Sequence, residues 1–146
     1  MTRRDQKKVL VVDDDLGVVL ALAKRLREVG FQVQTATSGT DAFRFARAGG
    51  IDAITLDVGL WDDVDGLDVA SVLSREPDTS EIPIIFITGR ADSEFEERYR
   101  DSGGRFFLAK PYDFDVLLGI LDRIFAHDEL AEIRQVSELK RRQPAH

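Results

Sequence analysis

The 146-residue chain has no cysteine, which excludes a disulfide framework and any thiolate metal site and suits a reducing compartment. Histidine is almost as scarce: His127 and His146 both fall near the C-terminal end without partners in the pattern, and neither is assigned a role. An excess of positive charge is also lacking. The formal charge of −7 argues against general nucleic-acid binding, because a phosphate backbone needs a basic surface. No apolar run approaches the roughly 18 residues of a membrane span. The N-terminal stretch Met1 to Lys8 is basic and carries the pair Arg3-Arg4, yet the apolar run behind it lasts only from Val9 to Val12, too short for a secretion-signal core. The expectation is a cytoplasmic protein that neither enters a membrane nor binds nucleic acid directly.

What the chain does have is 43% hydrophobic residues, enough for one compact domain with a real core, while 146 residues leave no room for a second full one. Its centre is Ile54-Thr55-Leu56-Asp57-Val58-Gly59, an apolar run that ends on an acid and breaks into a loop. A buried strand gains nothing by finishing on a carboxylate, so Asp57 reads as a group held at a rim for chemistry. Three other short runs end alike: Val9 to Val12 on Asp13-Asp14-Asp15, Ile82 to Ile87 on Thr88-Gly89, and Arg105 to Ala109 on Lys110-Pro111.

Between these runs lie helical patterns. Leu16, Val19, Leu20, Ala23 and Leu26 recur at helical spacing before Gly30, and Phe31 to Thr35 alternates as a further strand. Ser38 can cap a helix bearing Ala42, Phe45 and Ala46, which Gly49-Gly50 ends. Gly66 leads into a helix with Leu67, Ala70 and Leu73, stopped by Glu76-Pro77. A polar helix with few apolar anchors, chiefly Phe95 and Tyr99, is expected from about Asp92 to Asp101. A last one follows Asp113 with Phe114, Leu117, Leu118, Leu121, Ile124 and Phe125. Five strand–helix units in succession predict an α/β fold, a doubly wound parallel sheet with helices on both faces. Residues 127–146 continue with apolar positions every third residue, and read either as a frayed, solvated helical extension or as a short pairing surface.

In such sheets ligands bind beyond the carboxyl ends of the strands, where the strand order reverses. Asp13, Asp14 and Asp57 would meet there as three like charges, an arrangement that a hard divalent cation relieves; Mg²⁺ takes a few carboxylates and leaves room for phosphoryl oxygens. Lys110 adds an ammonium and Thr88 a hydroxyl donor. These are the parts that phosphoryl transfer to a carboxylate requires. No Gly-x-x-x-x-Gly-Lys-Ser/Thr loop is present to hold a nucleotide, so the phosphoryl group is expected from a donor protein or a small phosphodonor. A calcium-loop reading of Asp62 to Asp68 fails on spacing, since counting from Gly66 puts Trp61 and Val72 at ligand positions.

The order Asp13-Asp14, Asp57, Thr88, Lys110-Pro111 resembles the receiver domain of two-component response regulators, over about residues 8 to 126. The resemblance implies a flavodoxin-like sheet of five strands in the order 2-1-3-4-5 with five helices. It implies that Asp57 accepts a phosphoryl group from a histidine kinase or a histidine phosphotransfer protein. Mg²⁺ would be held by Asp14, Asp57 and the backbone carbonyl of Gly59, with Asp13 assisting largely through water. Lys110 would pair with the phosphoryl group, Thr88 and Phe107 would form the switch, and the Lys110-Pro111 bond would be cis. The implied role is a stand-alone signalling module, not a turnover enzyme. Its phosphorylation would change the affinity of a surface around helix four, strand five and helix five for a downstream protein or a second copy.

Three features depart from the family pattern. Trp61 stands where a proline is common and Gly66 falls one place late, so the loop after Asp57 reads as one residue longer, with Trp61, Asp62 and Asp63 on the donor's approach. Phe107 lacks the hydroxyl of a tyrosine. Arg90, two residues past Thr88, is placed to shield the phosphoryl group, which predicts a slowly decaying phosphorylated form. Two rival readings share the parts list. One is a small Mg²⁺-dependent phosphatase of the haloacid-dehalogenase kind, with Asp13 as nucleophile and Asp15 as acid/base. The other is a degenerate receiver that only binds proteins.

Overall fold

The computed structural model describes residues 4–59, 65–89, 95, 97–99 and 106–127. Five strands form one sheet: β1 (Lys8–Val12), β2 (Gln32–Ala36), β3 (Ala53–Asp57), β4 (Ile84–Thr88) and β5 (Phe106–Ala109). Their order is β2-β1-β3-β4-β5 and every neighbouring pair is parallel. The chain therefore steps from β1 outward to β2, then returns to build β3, β4 and β5 on the other side. That reversal opens a crevice between the ends of β1 and β3, and residues 13 and 57 stand at its two lips.

The helices begin and end for local reasons. α1 (Leu16–Glu28) starts at Asp15, whose side chain accepts the Val18 N–H, and closes through Gly30, which takes the left-handed φ of 108°. α2 (Gly39–Arg47) is capped by Ser38, which accepts from the Asp41 N–H. α3 (Gly66–Arg75) is capped by Asp65, accepting from the Asp68 N–H, and stops at Glu76, extended as a residue before proline should be. Residue 95 and residues 97–99 are helical and belong to α4; residues 114–127 form α5.

The second and fourth strands begin later than the sequence reading places them, and both run one residue further. Phe31 is left out of β2 because its N–H bonds back to the Leu26 carbonyl and closes α1, so the strand begins at Gln32 and runs to Ala36. The fourth strand starts at Ile84, after Pro83, whose carbonyl accepts from the Ile54 N–H, and it extends to Thr88.

Alternation along the strands sorts the core. Leu10, Val12, Ile54, Leu56 and Phe86 point to one face, where Ala42 and Ala46 of α2, Leu67, Ala70 and Leu73 of α3, and Phe95 meet them in one cluster. Val9, Val11, Ala53, Thr55 and Ile85 alternate to the other face. α1, which contacts β1 and β2 and gives nothing to the first cluster, buries Val19, Leu22, Ala23 and Leu26. By contacts the chain divides into two units, one from Arg3 to Tyr112 that holds the whole sheet, and a second that begins at Asp113. Within the second, α5 is amphipathic, with Phe114, Leu117, Leu121, Ile124 and Phe125 buried at helical spacing. No helix among the described residues is long and apolar enough to cross a membrane.

Candidate functional site

The sheet register brings the acids together. Val12 pairs with Leu56 and Asp57 with Ile87, so Asp13, one step beyond β1, stands level with the last residue of β3. Asp13, Asp14 and Asp57 each offer a carboxylate oxygen within 4.8 Å of the others. Lys110, one residue past β5, reaches the same place: its Nζ lies 3.4 Å from Asp13 Oδ2 and 3.5 Å from Asp57 Oδ1. The Lys110 N–H donates to the Thr88 carbonyl at 2.7 Å, which ties the ends of β4 and β5, and the Lys110–Pro111 peptide is cis. Thr88 is buried at the end of β4.

The neighbouring acid is used differently. Asp15 is exposed, and its carboxylate is committed to capping α1, while its own N–H donates to Asp13 Oδ1 at 3.0 Å. The triplet thus divides by role: Asp13 and Asp14 face the crevice and Asp15 starts the helix. Gly59 closes the other side, its N–H donating to Asp57 Oδ1 at 3.2 Å.

The electrostatics are those of a site short of positive charge. Burial, then the charge of Asp13, pushes the Asp57 carboxyl above the usual carboxylate range, although the Gly59 N–H and Lys110 pull the other way. Asp14 is also raised, first by burial, then by its contact with Asp13 and the charge of Asp57. Burial alone would lower the Lys110 ammonium, but Asp57 and Asp13 outweigh it and hold its pKa up. Asp14 Oδ2 is sealed from solvent and finds no hydrogen-bond partner among the described residues. An orphaned, buried carboxylate oxygen beside two further carboxylates is the donor set of a hard cation such as Mg²⁺.

Phe107 stands on β5 and is 46% exposed. It meets Phe95 and Tyr99 edge-on, with ring centroids 5.8 and 5.4 Å away, and Tyr99 in turn stands edge-on to Phe86 of β4 at 5.4 Å. Trp61, Asp62, Asp63 and Arg90 lie outside the described residues.

Three features went unnoticed in the sequence. Gly66 sits so close to the acceptor strand that a Cβ on it would overlap the Asp57 carbonyl oxygen, and its N–H donates to the Val58 carbonyl at 3.0 Å. Its place nine residues after Asp57, at a helix start, is plain in the sequence, but this contact is not. Leu16, Val18 and Leu20, on the first turns of α1 just past the acid triplet, are 59%, 42% and 53% exposed; eight successive residues without a polar side chain, Leu16 to Ala23, announce them. Arg98 grips Asp65 with both terminal nitrogens, a contact across 33 positions that no local pattern signals.

A family model described as the response regulator receiver domain matches residues 9–122. The transcriptional regulatory protein PrrA of Mycobacterium tuberculosis is 34% identical over 119 residues, 82% of this chain and 48% of PrrA. Protein PilH of Pseudomonas aeruginosa is 29% identical over 120 residues, 82% of this chain and 98% of PilH. Among solved structures, the chemotaxis protein CheY4 of Vibrio cholerae is 26% identical with a TM-score of 0.75, covering 82% of this chain and 98% of CheY4. The signal receiver domain of a signal transduction histidine kinase from Syntrophus aciditrophicus is 29% identical with a TM-score of 0.77, covering 83% and 91%. The chain spans about half the length of the first curated relatives it matches, 56% and 48%.

Proposed function

Because the chain belongs to the response regulator receiver domain family and is a phosphoacceptor signalling module, we propose that Asp57 is its acceptor and residues 8–126 its receiver domain. The observation that carries the assignment is the meeting of Asp13, Asp14, Asp57 and Lys110 at the reversal of the sheet, with Lys110 within 3.5 Å of the Asp57 oxygen. In the reaction a carboxylate oxygen of Asp57 attacks the phosphorus of a phosphohistidine. The new O–P bond forms as the P–N bond breaks, and the imidazole leaves with the electron pair and takes up a proton.

Lys110 faces the oxygens that carry the transferred charge, and Thr88 offers its hydroxyl to the attached group. Asp14, Asp57 and the Gly59 carbonyl would hold Mg²⁺, with Asp13 assisting. When bound, the ion neutralises the carboxylates and the phosphoryl oxygens together. The orphaned Asp14 oxygen supports this set, because a buried carboxylate oxygen without a hydrogen-bond partner is left for a cation to satisfy.

The donor, a histidine kinase or a histidine phosphotransfer protein, would dock on the apolar start of α1, where Leu16, Val18 and Leu20 lie exposed just past the acid triplet. The output is a change of binding surface around Phe107 and α4, toward a downstream protein or a second copy. The phosphoryl group adds close to two negative charges to a site that already repels them, enough to shift Thr88 and Phe107 between packings. The phosphatase reading loses support from Asp15, whose carboxylate is occupied as a helix cap and is absent from the acid cluster.

The decisive experiment is intact-protein mass after incubation with Mg²⁺ and acetyl phosphate, for the natural chain and for Asp57→Ala. One added phosphoryl group in the natural chain alone supports the assignment. Addition to both places the chemistry on another residue and overturns it.

A further inference from the structure

α3 is seated directly on the acceptor. Gly66, its first residue, presses on the Asp57 carbonyl and donates to the Val58 carbonyl, so the start of this helix and the backbone that carries the Asp57 carboxylate have no room to move independently. Just before Gly66 stands Asp65, the residue that caps α3.

Asp65 is held from outside its own element. Arg98 Nη1 donates to Asp65 Oδ2 at 2.7 Å and Nη2 to Asp65 Oδ1 at 3.0 Å, a two-pronged grip, and Nη2 also reaches Asp68 Oδ1 at 3.2 Å. Asp65 Oδ1 still accepts the Asp68 N–H, so cap and ion pair are made by one carboxylate. Such a fork fixes direction as well as distance, which an isolated ammonium would not do. Arg98 is followed by Tyr99, whose ring meets Phe86 of β4 and Phe107 of β5. The segment that grips Asp65 thus also contacts the two strands whose ends supply Thr88 and Lys110.

We propose that Arg98 is a positioning residue for the acceptor site. Acting through Asp65 and Gly66, it sets the placement of Asp57 and Gly59, and so links the position of α4 to occupancy of the crevice by cation and phosphoryl group. The inference rests on the receiver reading of the site. Because coupling is reciprocal, a filled crevice must in turn bias the Arg98–Asp65 contact. This link is separate from the aromatic one, since it runs through charge and the start of α3 and does not pass through Phe107.

The test uses the full chain and the fluorescence of its single tryptophan, Trp61, which lies four positions after Asp57, to titrate Mg²⁺. Arg98→Gln removes the fork. Asp65→Asn removes the charge but keeps an equally good cap, so folding is preserved. Each change should weaken Mg²⁺ binding about three- to tenfold and slow phosphorylation by acetyl phosphate by a similar factor. The double variant should be no worse than either single one, and Arg98→Lys should recover only part of the loss. Should tryptophan report no binding, calorimetry on the natural chain and the same four variants gives the affinities. Mg²⁺ affinities within about 1.5-fold of the natural chain in both single variants, or losses that add in the double variant, overturn the proposal. Asp57→Ala, carried in parallel, separates the two ideas: if it accepts a phosphoryl group as the natural chain does, the acceptor assignment itself is wrong, whatever Arg98 does.

Discussion

Gly66 and Asp57 are in backbone contact: the first residue of α3 lies so close to the last residue of β3 that no side chain fits between them. Gly66→Ala forces its Cβ onto the Asp57 carbonyl, and backbone on both sides leaves no flexible side chain to yield. The expected cost is about 1–3 kcal/mol in denaturant unfolding, together with weaker Mg²⁺ binding. Gly30→Ala is the control. Gly30 has a φ of 108° and a Cβ on it would meet only the Arg4 Cβ, at an ordinary contact distance of 3.5 Å, so the change costs about 1 kcal/mol through backbone strain and leaves Mg²⁺ binding alone. Equal effects of both changes on Mg²⁺ would separate Gly66 from the site.

The metal-free site works against the fold. Asp14 and Asp57 both have carboxyl pKa values raised in the native state, burial being the first cause, so the native protein binds protons more tightly than the unfolded chain. Stability without Mg²⁺ should therefore rise as pH falls from neutrality through these raised values toward the ordinary carboxylate range. Asp65 has the opposite sign: although burial opposes it, the Arg98 pair and the α3 amides lower its pKa, and its contribution is lost only when pH falls below the ordinary range. Asp14→Asn should raise metal-free stability by on the order of 1 kcal/mol, because it removes a charge with an orphaned oxygen. Saturating Mg²⁺ should flatten the rise in the natural chain. A metal-free protein that only loses stability on mild acidification contradicts the clustering of charge.

How much of this was legible in the sequence depends on range. β1 and β3 are apolar runs ending on acids, and their parallel pairing follows from the alternation of strands and helices, so the meeting of Asp13, Asp14, Asp57 and Lys110 is legible in the sequence. Asp15 had a role only in the phosphatase reading, as acid/base, because a triplet does not reveal which member turns away to cap a helix; only the Val18 contact does. Asp65 was read as part of an acidic loop for the same reason. Its ion pair with Arg98 depends on how two separate connections fold over the sheet, which local spacing does not encode. The exposed Leu16, Val18 and Leu20 were hidden by helical periodicity, which treats Leu16 and Leu20 as core residues until burial separates them from Val19 and Leu26.

Thr55 gives a test of packing that should leave function untouched. It lies buried in the central strand β3 with a hydroxyl that has no partner among the described residues. Thr55→Val keeps the shape and removes the orphaned group, and should stabilise the protein by about 1 kcal/mol in equilibrium unfolding. Phosphorylation by acetyl phosphate should keep its natural rate. Destabilisation instead would mean that the hydroxyl is satisfied in solution.

The start of α1 should separate protein donors from small ones. Leu20→Glu places a charge on this exposed apolar start of the helix while leaving its buried side intact. Transfer from a phosphorylated histidine protein should fall at least about tenfold, the scale of one lost contact at the centre of an interface. Reaction with acetyl phosphate, which needs no docking surface, should be unchanged. Parallel losses with both donors would move the effect from docking to the site itself.

Lys110 sets two demands on the crevice against each other. Its Nζ lies within 3.5 Å of oxygens on Asp13 and Asp57, where it offsets part of the acid cluster's charge and competes with any cation for the same oxygens. Lys110→Met keeps the apolar stem and removes the ammonium, so Mg²⁺ should bind several-fold more tightly to the three uncompensated acids. The transferred phosphoryl group also brings negative charge, and there the loss of the ammonium is felt in full: at saturating Mg²⁺ the rate with acetyl phosphate should fall on the order of a hundredfold. Tighter metal with slower transfer distinguishes an electrostatic role from a structural one, because a lysine that merely held the site in shape would, when removed, weaken both together.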